Sequence, residues 1–268
     1  MFFKIFLKKA VHSLRTIFYY GNRYRCIFCG GNFRKLFPCG INNKVAKDLI
    51  GGGYRYVVCP KCGSTDRERL IYFYLKQKTK ILSEHSQEIN LLHVAPERNL
   101  RKIFTSNECI NYFPGDIDPN GNDYKIDITN ISKFKDDFFD VIICNHVLEH
   151  VLNDKKAMQE LLRVLSPTGL AILQVPISKT IKKTFEGSFV TKPQDREKLF
   201  GQKDHVRIYG KDYREKLKNV GFQLEAYDIK NDLANNKIER LGINKEEILY
   251  VCKKTVQKSP RRKQSEKI

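Results

Sequence analysis

Four cysteines stand as two pairs, Cys26-x2-Cys29 and Cys59-x2-Cys62, with 29 residues between them. Two intervening residues let each pair turn back so that both sulfurs face one ion, and four thiolates so placed make a closed tetrahedral zinc site. A glycine follows each second cysteine, Gly30 and Gly63, where a tight turn can aim backbone N–H groups at the sulfurs. A disulfide pairing is the bland alternative. No secretory apolar stretch with a small-residue cleavage site is read at the start, so a reducing cytoplasm is expected, which favours metal over disulfides. Cys39, between the pairs, is a substitute ligand, while Cys109, Cys144 and Cys252 sit among apolar neighbours as small hydrophobes.

Charge divides the chain unevenly. Residues 1–80 carry 17 Lys/Arg against 3 Asp/Glu, residues 81–252 carry 25 against 26, and residues 253–268 carry 7 against 1. A large neutral middle with basic attachments argues against a catalytic face wrapped in nucleic acid. Residues 1–20 place Phe3, Phe6, Leu7, Ala10, Val11, Leu14, Ile17 and Phe18 on one helical face, with Lys4, Lys8, His12 and Arg15 opposite. Such a basic amphipathic helix either lies on an anionic membrane surface, at the inner face, or packs on the protein itself. No run of 18 apolar residues is present, so a spanning helix is not expected. Four segments follow: this helix, a zinc-binding module with a linking helix over 21–80, a larger α/β domain over 81–254, and a disordered basic tail over 255–268.

Within the larger domain, strand and helix alternate. Ile89 to Val94 reads as a short strand before a helical stretch from Asn99, and Cys109 to Phe113 as a second strand ending in Gly115-Asp116. A third segment stops at Asp127-Ile128. Phe139 to Cys144 is a nearly continuous apolar strand of the kind covered on both faces. A long helix, the strand Leu170 to Val175, a helix from Asp212 to Val220 and a terminal strand pair complete a doubly wound, Rossmann-like sheet. Ligands of such sheets bind at the carboxyl ends of the strands. Asp116 comes about twenty residues beyond the first strand end, where a carboxylate can meet ribose hydroxyls, and Asp127 lies at the third strand end, within reach of an adenine amino group.

The string Phe139-Asp140-Val141-Ile142-Ile143-Cys144-Asn145-His146-Val147-Leu148-Glu149-His150-Val151, followed by Glu160-Leu161-Leu162-Arg163-Val164-Leu165-Ser166-Pro167-Thr168-Gly169, resembles the fourth strand and following helix of class I S-adenosylmethionine-dependent methyltransferases of the type 11-like kind. The resemblance covers about residues 85–252. It implies that Asp116 binds the cofactor ribose, that Asp127 with Ile128 lies beside adenine, and that Asn145 and His146 stand near the methionine part and the transferred methyl. The family's glycine-rich turn after the first strand is replaced by His93-Val94-Ala95-Pro96-Glu97, which resembles a divergent branch with a cysteine-rich front end. In this loop His93, Ala95 and Glu97 become the cofactor-side residues: Ala95 allows close approach and Glu97 can hold the cofactor ammonium, while Pro96 removes a donor.

A polar insertion between Pro176 and Arg207 precedes the last long helix and suits an acceptor pocket. His205 is the first choice for a base that accepts the acceptor's proton, oriented by Asp204 or Asp195, and His146 the second. Structural roles for both histidines, a cap and a loop-fixing hydrogen bond, stand beside that reading. Arg207 is expected to recognise an anionic group on the substrate. The expected activity is O- or N-methylation of a small molecule or glycan-linked acceptor. RNA methylation is the alternative, with Phe28, Phe33, Phe37, Tyr54 and Tyr56 interleaved with Arg25, Arg34, Lys35 and Arg55 to hold the strand. A third reading is a cofactor-binding or interaction protein without turnover. The sequence leaves oligomeric state open.

Overall fold

The computed structural model describes residues 16–255 except 51, 84–86, 122 and 188. The amphipathic helix expected over residues 1–20 lies outside the described residues up to position 15, and the basic tail lies outside them from position 256. No described helix is long and apolar enough to cross a membrane.

The front module is built from two small antiparallel pairs. Strand β1 (Tyr20–Arg25) pairs with β2 (Asn32–Phe33), and β3 (Phe37–Cys39) pairs with β4 (Arg55–Val58). Between β3 and β4 the chain makes the short helix α1 (Lys44–Asp48), whose first turn is capped by the Asn43 side chain accepting from Val45 N and Ala46 N. Strands this short have little apolar area to bury, so the cysteines must supply the module's cohesion.

Helix α2 (Asp66–Lys78) starts where the sequence Thr65-x-x-Glu68 predicts. Thr65 Oγ1 accepts from Glu68 N, and Glu68 returns its carboxylate to Thr65 N at 2.9 Å, a complete capping box. Although α2 follows the second cysteine pair directly, its Leu70, Ile71 and Leu75 pack against the large sheet.

That sheet has seven strands. They are β5 (Ile89–Val94), β6 (Ile110–Asp116), β7 (Tyr124–Lys125), β8 (Phe139–Asn145), β9 (Leu165–Gln174), β12 (Phe222–Asp228) and β13 (Ile248–Lys254), in the spatial order β12-β13-β9-β8-β5-β6-β7. The pairs from β9 to β7 are parallel, while β13 runs antiparallel to both β9 and β12, giving the expected terminal strand pair. Alternation along the central strands feeds two cores. Leu91, Val141, Ile143 and Ile172 join one cluster, and Leu92, Ile142, Cys144 and Ala171 the other. Helices α2, α3 (Arg98–Thr105) and α7 (Asn235–Arg240) cover the first face, while α4 (Asp154–Val164) and α6 (Tyr213–Val220) cover the second. Gly115 in β6 lets Ile126 pack closely, since a Cβ there would lie 2.5 Å from the Ile126 side chain.

The insertion after β9 is ordered. It contains β10 (Phe185–Glu186), α5 (Pro193–Phe200) and β11 (Arg207–Ile208), with β10 and β11 paired antiparallel. Its Val190, Phe200 and Ile208 bury against Val45, Leu49 and Ile50 of the front module. Front module and insertion therefore meet above the carboxyl ends of the parallel strands.

Candidate active site and cysteine cluster

The two cysteine pairs come together. Cys26 Sγ lies 3.5 Å from Cys62 Sγ, and Cys29 Sγ lies 3.7 Å from Cys59 Sγ. A tetrahedron with Zn–S bonds of about 2.3 Å has edges of about 3.8 Å, so the four sulfurs fit one zinc ion. Each pair sits in the same turn: Gly30 N donates to Cys26 O at 2.9 Å, and Gly63 N to Cys59 O at 3.0 Å. Both glycines adopt positive φ, 66° and 76°, which is why glycine stands at these positions. The buried Ser64 hydroxyl lies 3.3 Å from Cys26 Sγ and 3.2 Å from Cys62 Sγ, an outer-sphere contact of the kind that steadies thiolate ligands. Cys39 is exposed on β3 and is not part of the cluster. Cys144 and Cys252 are buried, as expected, and burial pushes both thiols up.

Arg69 ties this cluster to the sheet domain. Fully buried, it donates to Ser64 O at 2.6 Å, to Val57 O at 2.7 Å and to Gly242 O at 2.6 Å. Glu68 adds a second tie, accepting from both the backbone and side-chain amides of Asn99 at 3.2 and 3.1 Å.

At the end of β5 the chain turns through Ala95, a non-glycine residue with φ of 47°. The left-handed backbone that a glycine would adopt freely is retained, with Ala95 N donating to Gly115 O at 2.8 Å. Glu97 follows. Its carboxylate receives His93 Nε2 at 2.6 Å and the Asn145 amide from the end of β8. Burial opposes ionisation of Glu97, but the His93 imidazole and then the Asn145 amide outweigh it, so the carboxyl sits below the ordinary glutamate range. His93 is itself fully buried, with Nδ1 3.0 Å from the Tyr112 hydroxyl. It therefore stands behind Glu97 and acts through it, while Ala95, Glu97 and Asn145 line the cleft. Asn145 Oδ1 is buried without a hydrogen-bond partner among the described residues.

Asp116 ends β6, and its carboxylate accepts from Asp118 N at 3.1 Å. Asp127 is exposed in the turn after β7 and accepts from Thr129 N at 2.8 Å, with Ile128 buried beside it. Both carboxylates occupy the predicted strand-end positions, beyond the lining of the cleft.

Two cavities adjoin across the strand ends. One of about 430 Å³ lies over Ala95, Glu97 and Asn145, with His205 on its insertion side and Gly40, Ala46 and Gly53 of the front module above. The second, of about 500 Å³, lies over Gln174 to Lys179 and the start of β13, and is edged by Lys179, Lys211 and Arg214. His146, Arg55 and Arg67 line both. His146 has φ of 56°, a strained value for a non-glycine residue, and its Nδ1 is 3.1 Å from Glu149 Oε1. Its Nε2 is buried and unpartnered among the described residues. Burial disfavours the Glu149 charge, yet His146 outweighs that effect and keeps the carboxyl low.

Two expected roles need correction. Arg207 does not face a substrate: it is 2 % exposed and donates to the carbonyl oxygens of Leu148, Val151 and Leu152, clamping the turn after β8. Asp204 does not orient His205; its largely exposed carboxylate lies 3.3 Å from His150 Nδ1, and Asp195 sits out on α5 facing Lys198. His205 is buried, and that burial holds its pKa below the ordinary histidine value. Sequence reasoning quoted Glu149 and His150 within a motif but gave them no task, and it missed Arg67 and the Gly40 and Gly53 roof. Glu149 carried the detectable signal: a carboxylate set between two histidines, His146 and His150, directly after the central strand.

Residues 102–173 match the family described as the methyltransferase domain, a span from α3 to near the end of β9. No curated protein matches the chain. Among solved structures, the Burkholderia thailandensis 1,6-didemethyltoxoflavin-N1-methyltransferase is similar with a TM-score of 0.47 and 10% identity over 71% of this chain and 78% of that one. The [4+2]-cyclase SpnF is similar with a TM-score of 0.45 and 13% identity, covering 80% and 97% of the two chains. The CurJ carbon methyltransferase has a TM-score of 0.44 and 16% identity over 69% of this chain, which spans about half, 53%, of the CurJ chain. The fold is a Rossmann-like methyltransferase sheet with an N-terminal cysteine cluster suited to a structural metal. Sheet and family match together support a methyltransferase enzyme.

Proposed function

We propose that the protein transfers a methyl group from S-adenosylmethionine to an oxygen or nitrogen of a small-molecule or glycan-linked acceptor carrying an anionic group such as phosphate. The observation that carries this reading is His146, which lines both cavities at their junction. When bound, the cofactor supplies an electrophilic methyl on a sulfonium. The residues fit it: the ionised Glu97 and the unpartnered Asn145 Oδ1 would take its ammonium, the Ala95 turn admits close approach, and Asp116 would meet the ribose. Zinc would fill the four-cysteine cluster in a purely structural role, since four thiolates leave no open position.

The acceptor would occupy the second cavity, where Arg55, Arg67, Lys179, Lys211 and Arg214 outnumber Glu215, Glu246 and Glu247 and provide positive charge for a phosphate or carboxylate. His146, backed by Glu149 at Nδ1, has its unpartnered Nε2 free to accept the acceptor's proton, which makes it a better base than His205. Replacing His146 with Asn is expected to lower kcat by about 10²- to 10⁴-fold with little effect on cofactor affinity. Measurement of turnover alongside calorimetry with S-adenosylmethionine checks both halves.

A second reading, RNA methylation, is favoured by one feature of the front module. Tyr54 and Tyr56 are more than half exposed, and the Lys35 ammonium lies 5.0 Å over the Tyr56 ring, a surface on which bases can stack. A labelled-cofactor assay against total RNA and against soluble and lipid-linked glycan extracts separates the two. Label in glycan alone supports the first reading, and label in RNA alone replaces it with the second. No transfer to any fraction by protein that binds the cofactor would leave the non-catalytic reading.

A further inference from the structure

We propose that Glu149, His150 and His205 form a binding site for one divalent transition-metal cation, separate from the four-cysteine cluster. One ligand atom from each of these residues can be chosen so that all three lie within 4.8 Å of one another. Metal–ligand bonds of about 2.1 Å require tetrahedral edges of about 3.4 Å, so closure needs side-chain shifts of only about 1 Å.

Burial argues for an occupant. Glu149 is 1 % exposed and His205 2 % exposed, and both line the first cavity. Glu149 Oε2 and His205 Nδ1 are each buried with no hydrogen-bond partner among the described residues. An orphaned buried polar atom is costly, and two in one three-residue cluster call for a shared partner that protein atoms do not supply. Glu149 pairs through Oε1 with His146 alone, and no Lys or Arg among the described residues bridges its second oxygen. A cation answers both orphans at once.

The surroundings are built to hold such a group. His150 Nδ1 is paired with the Asp204 carboxylate at 3.3 Å, which leaves Nε2 as the ligating nitrogen in the carboxylate–imidazole–metal order common at such sites. The His150 and His205 rings stand edge to face, 4.7 Å between centroids at 81°. The turn bearing Glu149 and His150 is locked to the segment bearing His205: Val206 N donates to Glu149 O at 3.0 Å, and the buried Arg207 grips the Leu148, Val151 and Leu152 carbonyls. Two imidazoles and one carboxylate, with no thiolate, suit Zn²⁺, Co²⁺ or Fe²⁺ rather than the all-oxygen preferences of Mg²⁺ and Ca²⁺. Three protein ligands leave a position open toward the cavity, for water or an acceptor oxygen. The metal site stands whether or not the acceptor assignment does.

Zinc is the first probe, titrated calorimetrically into the full-length, metal-stripped and reduced chain. Two equivalents per chain are expected, falling to one in His205→Ala and weakening at least tenfold in His150→Ala; His150 is partly exposed, so the latter variant is expected to fold even where a buried change does not. Co²⁺ added to chain already carrying one zinc should give a visible spectrum without a thiolate charge-transfer band, lost in Glu149→Gln. A single equivalent in the wild type, a second equivalent retained in both histidine variants, or a thiolate band from the second metal would each overturn the proposal.

Discussion

At the residue scale the cofactor side of the proposed reaction turns on Glu97 and the strained Ala95 before it. Glu97→Gln removes the charge while keeping the shape, and should weaken S-adenosylmethionine binding about 10- to 100-fold, the loss of a charged hydrogen bond worth about 1.5–3 kcal/mol. Calorimetry reads this directly. The same carboxyl gives a pH signature. Its folded value lies below the ordinary one, so its stabilising effect is fully present above the unfolded value of about 4.3 and is lost as pH falls through the lower folded value. Wild type should therefore melt above Glu97→Gln near neutrality, with the gap closing in acid below about pH 4. Ala95, Glu97 and Asn145 were legible in sequence because strand ends announce themselves by where an apolar run stops. The engagement of Arg207 was not, because it depends on carbonyl groups brought in from the turn after β8, and backbone acceptors carry no sequence signature. Asp204 was misread for a related reason: its carboxylate pairs with His150, brought in from the turn after β8, rather than with His205 beside it in the chain.

At the element scale α2 joins two structures that the charge pattern separates. Its capping box and the knuckle glycines were readable from local spacing, since both are short-range devices. Arg69 looks like any basic helix residue in sequence, yet it is the buried link among Ser64, Val57 and Gly242. Arg69→Ala would strand those carbonyl oxygens and leave a cavity. A loss of about 2–4 kcal/mol is expected, seen as a lowered Tm together with earlier proteolytic cleavage within residues 20–62. The insertion between β9 and α6, read in sequence as an acceptor-side element, lines the cavity over the strand ends through Gln202 and His205. Its contact with α1 through Phe200 and Ile208 was not foreseeable, because neither segment has enough regular apolar periodicity to name a partner.

Across the whole molecule the sheet and the cysteine module are stabilised by different means. The sheet rests on two apolar clusters that together fill both faces, and the module is drawn together by four cysteines placed to hold one metal ion. Stripping zinc with a strong chelator should make residues 20–62 protease-sensitive and abolish methyl transfer, while far-ultraviolet circular dichroism of the sheet domain persists; loss of the whole spectrum would show that the two fold as one unit. The alternation of strands and helices made the sheet's strands readable, since their pattern is set by burial on both faces, although β9 starts at Leu165, ahead of the expected Leu170. The cavity roof was hidden, because it is a meeting of segments far apart in the sequence, the loop around Gly40 to Gly53 and the insertion around Phe200 to Ile208. That roof has a consequence for divergence. On the proposed reading, the loop over residues 39–57, carried between the two cysteine pairs and outside the large sheet, can exchange its outward residues without disturbing the strands that would hold the methyl donor, so relatives of this chain would be free to drift in acceptor preference while their donor chemistry stays the same. Grafting residues 39–57 between such relatives should carry the preference with it.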